Sequence, residues 1–227
     1  MSYEVLFDGL ERAGPGDAES LGWAVTLAGV PEAGRILDAG CGLGADLATL
    51  RRLRPGARIV AVDLVEAFAA RVRAAHPGVE VLCADMTDPP GGPFDFIWCA
   101  GAAYMPGVAA CLAAWRGHLA HGGAVAFSDL CWRLAQPAAA ARDFWAAEGL
   151  VMRDAAELEA VVVAAGYEVM GSCWLQPEAW AAYYEPIARR LTELPQDDLT
   201  PGFQAEIALW QEHGGDYGYR LIVARPA

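Results

Sequence analysis

The chain holds no internal repeat, no low-complexity tract and no segment with the composition of a flexible linker. One domain over residues 1–227 is therefore expected. No uninterrupted apolar run is long enough to span a bilayer, and the opening Met1-Ser2-Tyr3-Glu4-Val5 has neither a basic region nor an apolar stretch. A membrane span and a signal segment are both unexpected, which points to a soluble, cytoplasmic protein. Positive charge is scarce: 29 acidic residues stand against 16 basic ones, for a formal net charge of −13. The bases group only at Arg51, Arg52 and Arg54 and at Arg189-Arg190. A polyanion is repelled by such a chain on average, so nucleic acid is not an expected partner.

Paired cysteines are also missing. Cys41, Cys83, Cys99, Cys111, Cys131 and Cys173 form no C-x-x-C pattern, and several lie inside apolar runs. They read as buried free thiols of a reducing compartment. Histidine is rare, and His118 and His121 have no further His or Cys nearby to complete a ligand set. No metal site is expected. What the chain does have is hydrophobic residues, 55 % against 20 % charged. That excludes disorder and suffices for a large core.

The stretch Arg35-Ile36-Leu37-Asp38-Ala39-Gly40-Cys41-Gly42-Leu43-Gly44 reads as a short buried strand ending in a glycine turn. Leu47, Leu50 and Leu53 then start a helical pattern. Glycines at such a turn let the backbone approach a ligand closely, beside the free N–H groups of a helix N-terminus. A nucleotide-like cofactor site is one reading, and a tight strand-to-helix turn is the other. Because Ala45 follows Gly40-x-Gly42-x-Gly44, the spacing alone leaves a dinucleotide dehydrogenase open beside a methyltransferase.

Along the chain the pattern predicts a flanking helix over 17–29 with Asp17 as its N-cap. It then predicts helix 45–54, strand 57–62, helix 65–75, strands 79–83 and 94–99, helix 107–120 and strand 123–128. Strands 57–62, 94–99 and 123–128 are apolar throughout rather than alternating, as burial on both faces requires. An α/β fold with a mostly parallel sheet follows, helices on both faces. Ligands in such sheets bind outside the carboxyl ends of the strands. That rule sets Asp38 to Gly44, Asp63, Asp85-Met86, Cys99 to Tyr104 and Ser128 to Trp132 along one rim. Asp63 ends the second strand, where a carboxylate either accepts both hydroxyls of a ribose or caps a helix. Later come helix 154–165, strand 167–175, an aromatic helical insert over 176–215 and a last strand over 219–224.

Taken together, Leu37-Asp38-Ala39-Gly40-Cys41-Gly42-Leu43-Gly44, Asp63, Ala84-Asp85-Met86 and Phe94-Asp95-Phe96-Ile97-Trp98 resemble the class I S-adenosylmethionine-dependent methyltransferases. The resemblance implies a Rossmann-like seven-stranded sheet whose last strand is antiparallel. It also implies that Asp63 holds the ribose, Asp85 the adenine amino group and Met86 an adenine face or edge. The cofactor-binding positions on this reading are Arg12, Asp38, Gly40, Cys41, Gly42, Gly44, Asp63, Leu64, Asp85, Met86 and Cys99. Ile97 to Tyr104, Arg142 to Trp145, Trp180 to Tyr184 and Tyr217-Gly218-Tyr219 look like a bacterial subgroup of small-molecule methyltransferases of undefined substrate. The opening segment with Arg12 and Pro15-Gly16 resembles that subgroup too, where it lies over the methionine end of the cofactor. The subgroup commonly has an acid before Gly101; this chain has Ala100.

Methyl transfer from a sulfonium is an in-line displacement, so proximity and exclusion of water carry much of the catalysis. A poor nucleophile also needs a base, and no His lies among the rim motifs. Tyr104 is the first polar candidate, either touching substrate or serving as a hydrogen-bonded structural tyrosine, and Asp129 is the second. Trp132, Trp180, Tyr183 and Tyr184 form either a substrate cap or part of the core or a dimer face. Arg12 either forks onto a cofactor carboxylate or stays solvated. The expected partner is a small-molecule acceptor, with no membrane and with a monomer or homodimer in solution. The reading to be tested against turnover is a binding module that holds the cofactor without reaction.

Overall fold

The computed structural model describes residues 3–195 and 197–227. After a short opening helix, α1 (Tyr3–Leu6), the flanking helix α2 runs over Ala18–Leu27. Its start is set chemically: Asp17 Oδ1 accepts the Ser20 N–H at 2.6 Å, satisfying one of the free donors of the first turn. Strand and helix then alternate as β1 (Arg35–Ala39), α3 (Leu47–Leu53), β2 (Arg58–Asp63), α4 (Glu66–Ala75) and β3 (Glu80–Cys83). They continue as β4 (Phe94–Cys99), α5 (Val108–Trp115), β5 (Leu119–Trp132), α6 (Ala139–Ala147), a two-residue β6 (Arg153–Asp154), α7 (Ala155–Ala164) and β7 (Tyr167–Trp174). Two helices, α8 (Pro177–Glu193) and α9 (Thr200–His213), intervene before β8 (Tyr217–Pro226).

The sheet order is β3-β2-β1-β4-β5-β8-β7, with β6 paired to β5 off that path. β8 runs antiparallel to both β5 and β7, while the first five strands are mutually parallel. The mostly parallel sheet and its antiparallel last strand are those expected of the α/β fold, with the two-residue β6 added beside the seven expected strands. Alternate residues of each central strand feed opposite cores: Ile36, Ile59 and Phe96 pack with α2 and α3, whereas Leu37, Val60 and Ile97 pack with α5 and α7. A third core lies beneath the aromatic insert, joining Leu6, Phe7, Trp145, Trp180, Tyr184, Ile207 and Tyr217.

The largest departures from the periodicity lie around the fifth strand. The helix expected over 107–120 ends at Trp115, passes through a 3₁₀ turn at Arg116–His118, and gives way to strand at Leu119. The fifth strand, expected over 123–128, extends to Trp132. Its extra length is held from outside: Leu130 faces Tyr219 and Trp132 faces Tyr217 on β8, and Cys131 pairs with Arg153 on β6. Cross-strand partners contributed from far along the chain leave no trace in local periodicity.

Candidate cofactor and acceptor site

The glycine turn follows β1 directly. Gly40, Gly42 and Gly44 have φ of +73°, +51° and +78°, the left-handed region in which a side chain is strained. The N–H groups of Gly40 and Cys41 both donate to the Val62 carbonyl at 2.9 Å, docking the turn against β2. A Cβ at Gly40 would lie 2.7 Å from the Ala102 Cβ and 3.3 Å from the Met86 Sδ, so the backbone passes under the loop after β4 with no room to spare.

Asp63, at the end of β2, is positioned by that turn: its Oδ2 accepts the Gly42 N–H at 2.8 Å and its Oδ1 accepts the Val65 N–H at 2.9 Å. Each oxygen keeps a further lone pair for a ligand hydroxyl. Asp38 is buried at 3 % exposure, and its Oδ2 has no hydrogen-bond partner. Burial, reinforced by the charges of Asp46 and Asp63 and opposed by Arg12, pushes its carboxyl well above the usual range. Asp46 accepts the Trp98 indole N–H at 2.8 Å and is ion-paired with Arg12, which ties the opening segment to the turn. The Arg71 guanidinium holds the same segment from α4, donating to the Phe7 carbonyl at 3.2 Å.

These groups open into a cavity of about 750 Å³. Its far wall comes from the opening segment, the loops after β4 and α6, and the aromatic insert, including Phe7, Tyr104, Trp145, Trp180, Tyr183 and Phe203. The rings pack on one another: Tyr183 and Tyr184 centroids are 4.9 Å apart, and Trp180 and Tyr219 centroids 5.0 Å. Among the described residues no group of His, Cys, Asp and Glu is placed to hold a metal ion, and no helix is long and apolar enough to cross a membrane.

Residues 36–123 match the family model of a methyltransferase domain. The chain is similar to that family over β1 to the start of β5. Its fold is that of the S-adenosylmethionine-dependent methyltransferases, as solved structures show over nearly its full length. A methyltransferase from Thiobacillus denitrificans in complex with S-adenosyl-L-homocysteine superposes with a TM-score of 0.80 at 19 % identity, covering 99 % of this chain and 98 % of that one. One from Geobacter sulfurreducens, with the same ligand, gives 0.77 at 21 %, covering 99 % and 97 %. A geranyl diphosphate C-methyltransferase from Streptomyces coelicolor, in complex with Mg²⁺, geranyl diphosphate and S-adenosyl-L-homocysteine, gives 0.67 at 20 %, covering 92 % and 80 %. A search of curated protein sequences returns no match.

Within the methyltransferase fold, the cavity brings together Arg12, Asp38, Gly40, Cys41, Gly42 and Asp63 with Tyr104, Asp129, Trp180, Tyr183 and Tyr184. Six other positions singled out in the sequence lie off its wall. Gly44 is a packing glycine, since a Cβ there would meet Leu47 and Val72 at 3.1 Å. Met86 is buried behind Gly40, its carbonyl accepting the Trp115 indole N–H at 2.8 Å. Cys99 is fully buried in the core beneath α5. Trp132 packs edge-on to Tyr217, at 6.4 Å between centroids. Leu64 is 71 % exposed outside the cavity. Asp85 is likewise exposed, with its Oδ1 accepting the N–H of Thr87 at 2.8 Å and its hydroxyl at 2.7 Å.

Four residues on or behind the wall have contacts that the sequence did not assign to them. Asp46 carried a local signal, an acid just before a helical run, but its partners Arg12 and Trp98 are far away in the chain. Ser128, in the fifth strand, accepts the Gly101 N–H at 2.9 Å through its hydroxyl and fixes the loop after β4. Tyr219 is part of a quoted motif, yet only the fold sets its ring against Gly101, where a Cβ would lie 2.9 Å from the ring edge. Glu206 is a lone acid in a helical stretch and carries no local signal at all.

Proposed function

We propose that this methyltransferase transfers a methyl group from S-adenosylmethionine to a small-molecule acceptor. The observation that carries the reading is the buried Asp38 carboxyl, its Oδ2 without a partner, on the wall of a cavity that runs from a glycine turn to an aromatic cap. A cationic cofactor fits that residue set: an orphaned buried carboxylate gains a partner, the glycines leave space where side chains would stand, and Asp63 retains lone pairs for a ribose. Asp38, Gly40, Cys41 and Gly42 are assigned to the methionine side, with Arg12 and Gly44 completing and buttressing it. Asp63 is assigned to the ribose and Leu64 and Asp85 to the adenine side, with Met86 and Cys99 packed in the core behind that site rather than on its wall. S-adenosylmethionine, when bound, supplies a methyl group activated on a sulfonium.

The chain's own residues orient and desolvate. Tyr183, Tyr184, Trp180 and Trp132 form or back the cap that excludes water, and holding two reactants in attack geometry is worth roughly 7–11 kcal/mol. Of the two polar candidates, Tyr104 suits donation: burial and the Glu206 charge raise its phenol further above neutrality, which disfavours loss of its proton. Asp129 suits acceptance, because burial lifts its carboxyl from the usual range toward working pH. Residues 1–227 act as one domain on this reading, with 17–29 as flank and 176–215 as cap. The net charge of −13 supports a small molecule over nucleic acid, and the free cysteines support a reducing, cytoplasmic compartment.

Calorimetric titration with S-adenosylhomocysteine is the test. Binding is expected, and Asp63→Ala weakens it by about 1–3 kcal/mol through loss of hydrogen bonds to a charged acceptor. Absence of heat with the wild-type chain at high ligand concentration refutes the reading.

A further inference from the structure

The wall that α9 and β8 contribute to the cavity sets one carboxylate among several aromatic rings. Glu206, on α9, accepts the Tyr184 hydroxyl at 2.7 Å through Oε1. Its burial lifts its carboxyl above the usual range. Tyr104, Tyr183 and Tyr219 share the same cavity, near enough that the Glu206 charge adds to burial in raising each phenol. Trp180 stands against Tyr219 at 5.0 Å between centroids. This wall is continuous with the glycine turn: Gly40 abuts Ala102, and Gly101 beside it abuts the Tyr219 ring.

The charge of the cavity is one-sided. Asp38, Asp46, Asp63, Asp129, Glu148 and Glu206 line it, against Arg12 and Arg153. Arg12 is committed to Asp46, and Arg153 lies close enough to Asp129 to lower its pKa. The chain contains no lysine, and no histidine reaches the cavity. An anionic head group such as a diphosphate would meet net negative charge with no uncommitted cation beside Glu206. A neutral ring would desolvate Glu206 further with, among the described residues, the Tyr184 hydroxyl as its one hydrogen-bond donor and no positive charge beside it, which costs free energy. A cation relieves that cost and is attracted as well by the faces of tyrosine and tryptophan.

The geometry points to an acceptor that carries a positively charged nitrogen, seated between the Glu206 carboxylate and the rings of Tyr104, Tyr183, Tyr219 and Trp180. This inference rests on the methyltransferase reading and names the substrate class for the same cavity. The full chain saturated with S-adenosylhomocysteine is titrated calorimetrically with benzyltrimethylammonium, benzyl alcohol and phenylphosphonate. The ammonium binds roughly tenfold tighter than the alcohol, the size of one desolvated cation–π or charge contact, and the phosphonate is weakest. Glu206→Gln removes most of that preference and leaves the affinity for S-adenosylhomocysteine unchanged. Tyr184→Phe keeps the carboxylate and therefore keeps the preference, so the comparison stands even if Glu206→Gln fails to fold. Equal binding of ammonium and alcohol, tighter binding of the phosphonate, or a preference that survives Glu206→Gln overturns the inference. The same three probes are titrated without S-adenosylhomocysteine, so that failure of the nucleoside to bind counts against the cofactor reading alone.

Discussion

Replacing Asp38 by asparagine should stabilise the ligand-free protein and weaken the cofactor site at once. The carboxyl is 3 % exposed, its Oδ2 lacks a partner, and burial together with Asp46 and Asp63 raises its pKa. The folded-state pKa then lies above the unfolded one. As pH rises through the ordinary carboxylate range, the unfolded chain ionises first and the folded state loses relative stability. Asparagine has no such ionisation. Relief of a buried group left without compensation is worth about 1–3 kcal/mol, or roughly 2–12 °C in Tm for a chain of this size. That gain should be present near pH 7 and close as pH falls below about 4, where the carboxyl is neutral in both states. The same change removes a charge-assisted contact, so S-adenosylhomocysteine should bind roughly 10- to 150-fold more weakly. Thermal melts from pH 4 to 8 without ligand, paired with calorimetry, measure both halves. A variant that melts below wild type across that range, or that binds the nucleoside as tightly as wild type does, refutes the reasoning.

Gly40→Ala puts a methyl group 2.7 Å from the Ala102 Cβ at a φ of +73°. It should cost about 1–2 kcal/mol from the dihedral alone and reduce S-adenosylhomocysteine affinity beyond detection in the same titration. Asp154→Ala breaks the capping box in which Asp154 Oδ1 accepts the Glu157 N–H at 2.8 Å and Glu157 Oε2 accepts the Asp154 N–H at 2.9 Å. Urea denaturation should show a loss of about 1 kcal/mol with nucleoside affinity unchanged, because α7 packs away from the cavity.

Asp17 announced α2 because capping is a contact between residues three apart, and the apolar runs announced β2, β4 and β5 because a strand buried on both faces must be apolar throughout. The glycine turn was legible for a similar reason: positive φ selects glycine whatever the rest of the fold does. Other features depend on distant partners. Gly44 looks like the other two glycines of the turn in sequence, yet its missing Cβ makes room for Val72 on α4 rather than for a ligand. Trp132 looks like a cap residue, yet the register of β5 against β8 turns it toward Tyr217.

By itself, the sequence determined the alternation of strands and helices from β1 to β5, the glycine turn and the acid that ends β2, because each is encoded by dihedral preference, capping or burial within a few residues. The tertiary structure alone decided which polar groups share the cavity. Arg12 meets Asp46 across 34 positions, Gly42 meets Asp63 across 21 and Tyr184 meets Glu206 across 22. Those pairings arise when the sheet brings the loops at its carboxyl edge under one helical cap, and desolvation there, absent from the extended chain, raises the proton affinity of Asp38, Asp129 and Glu206.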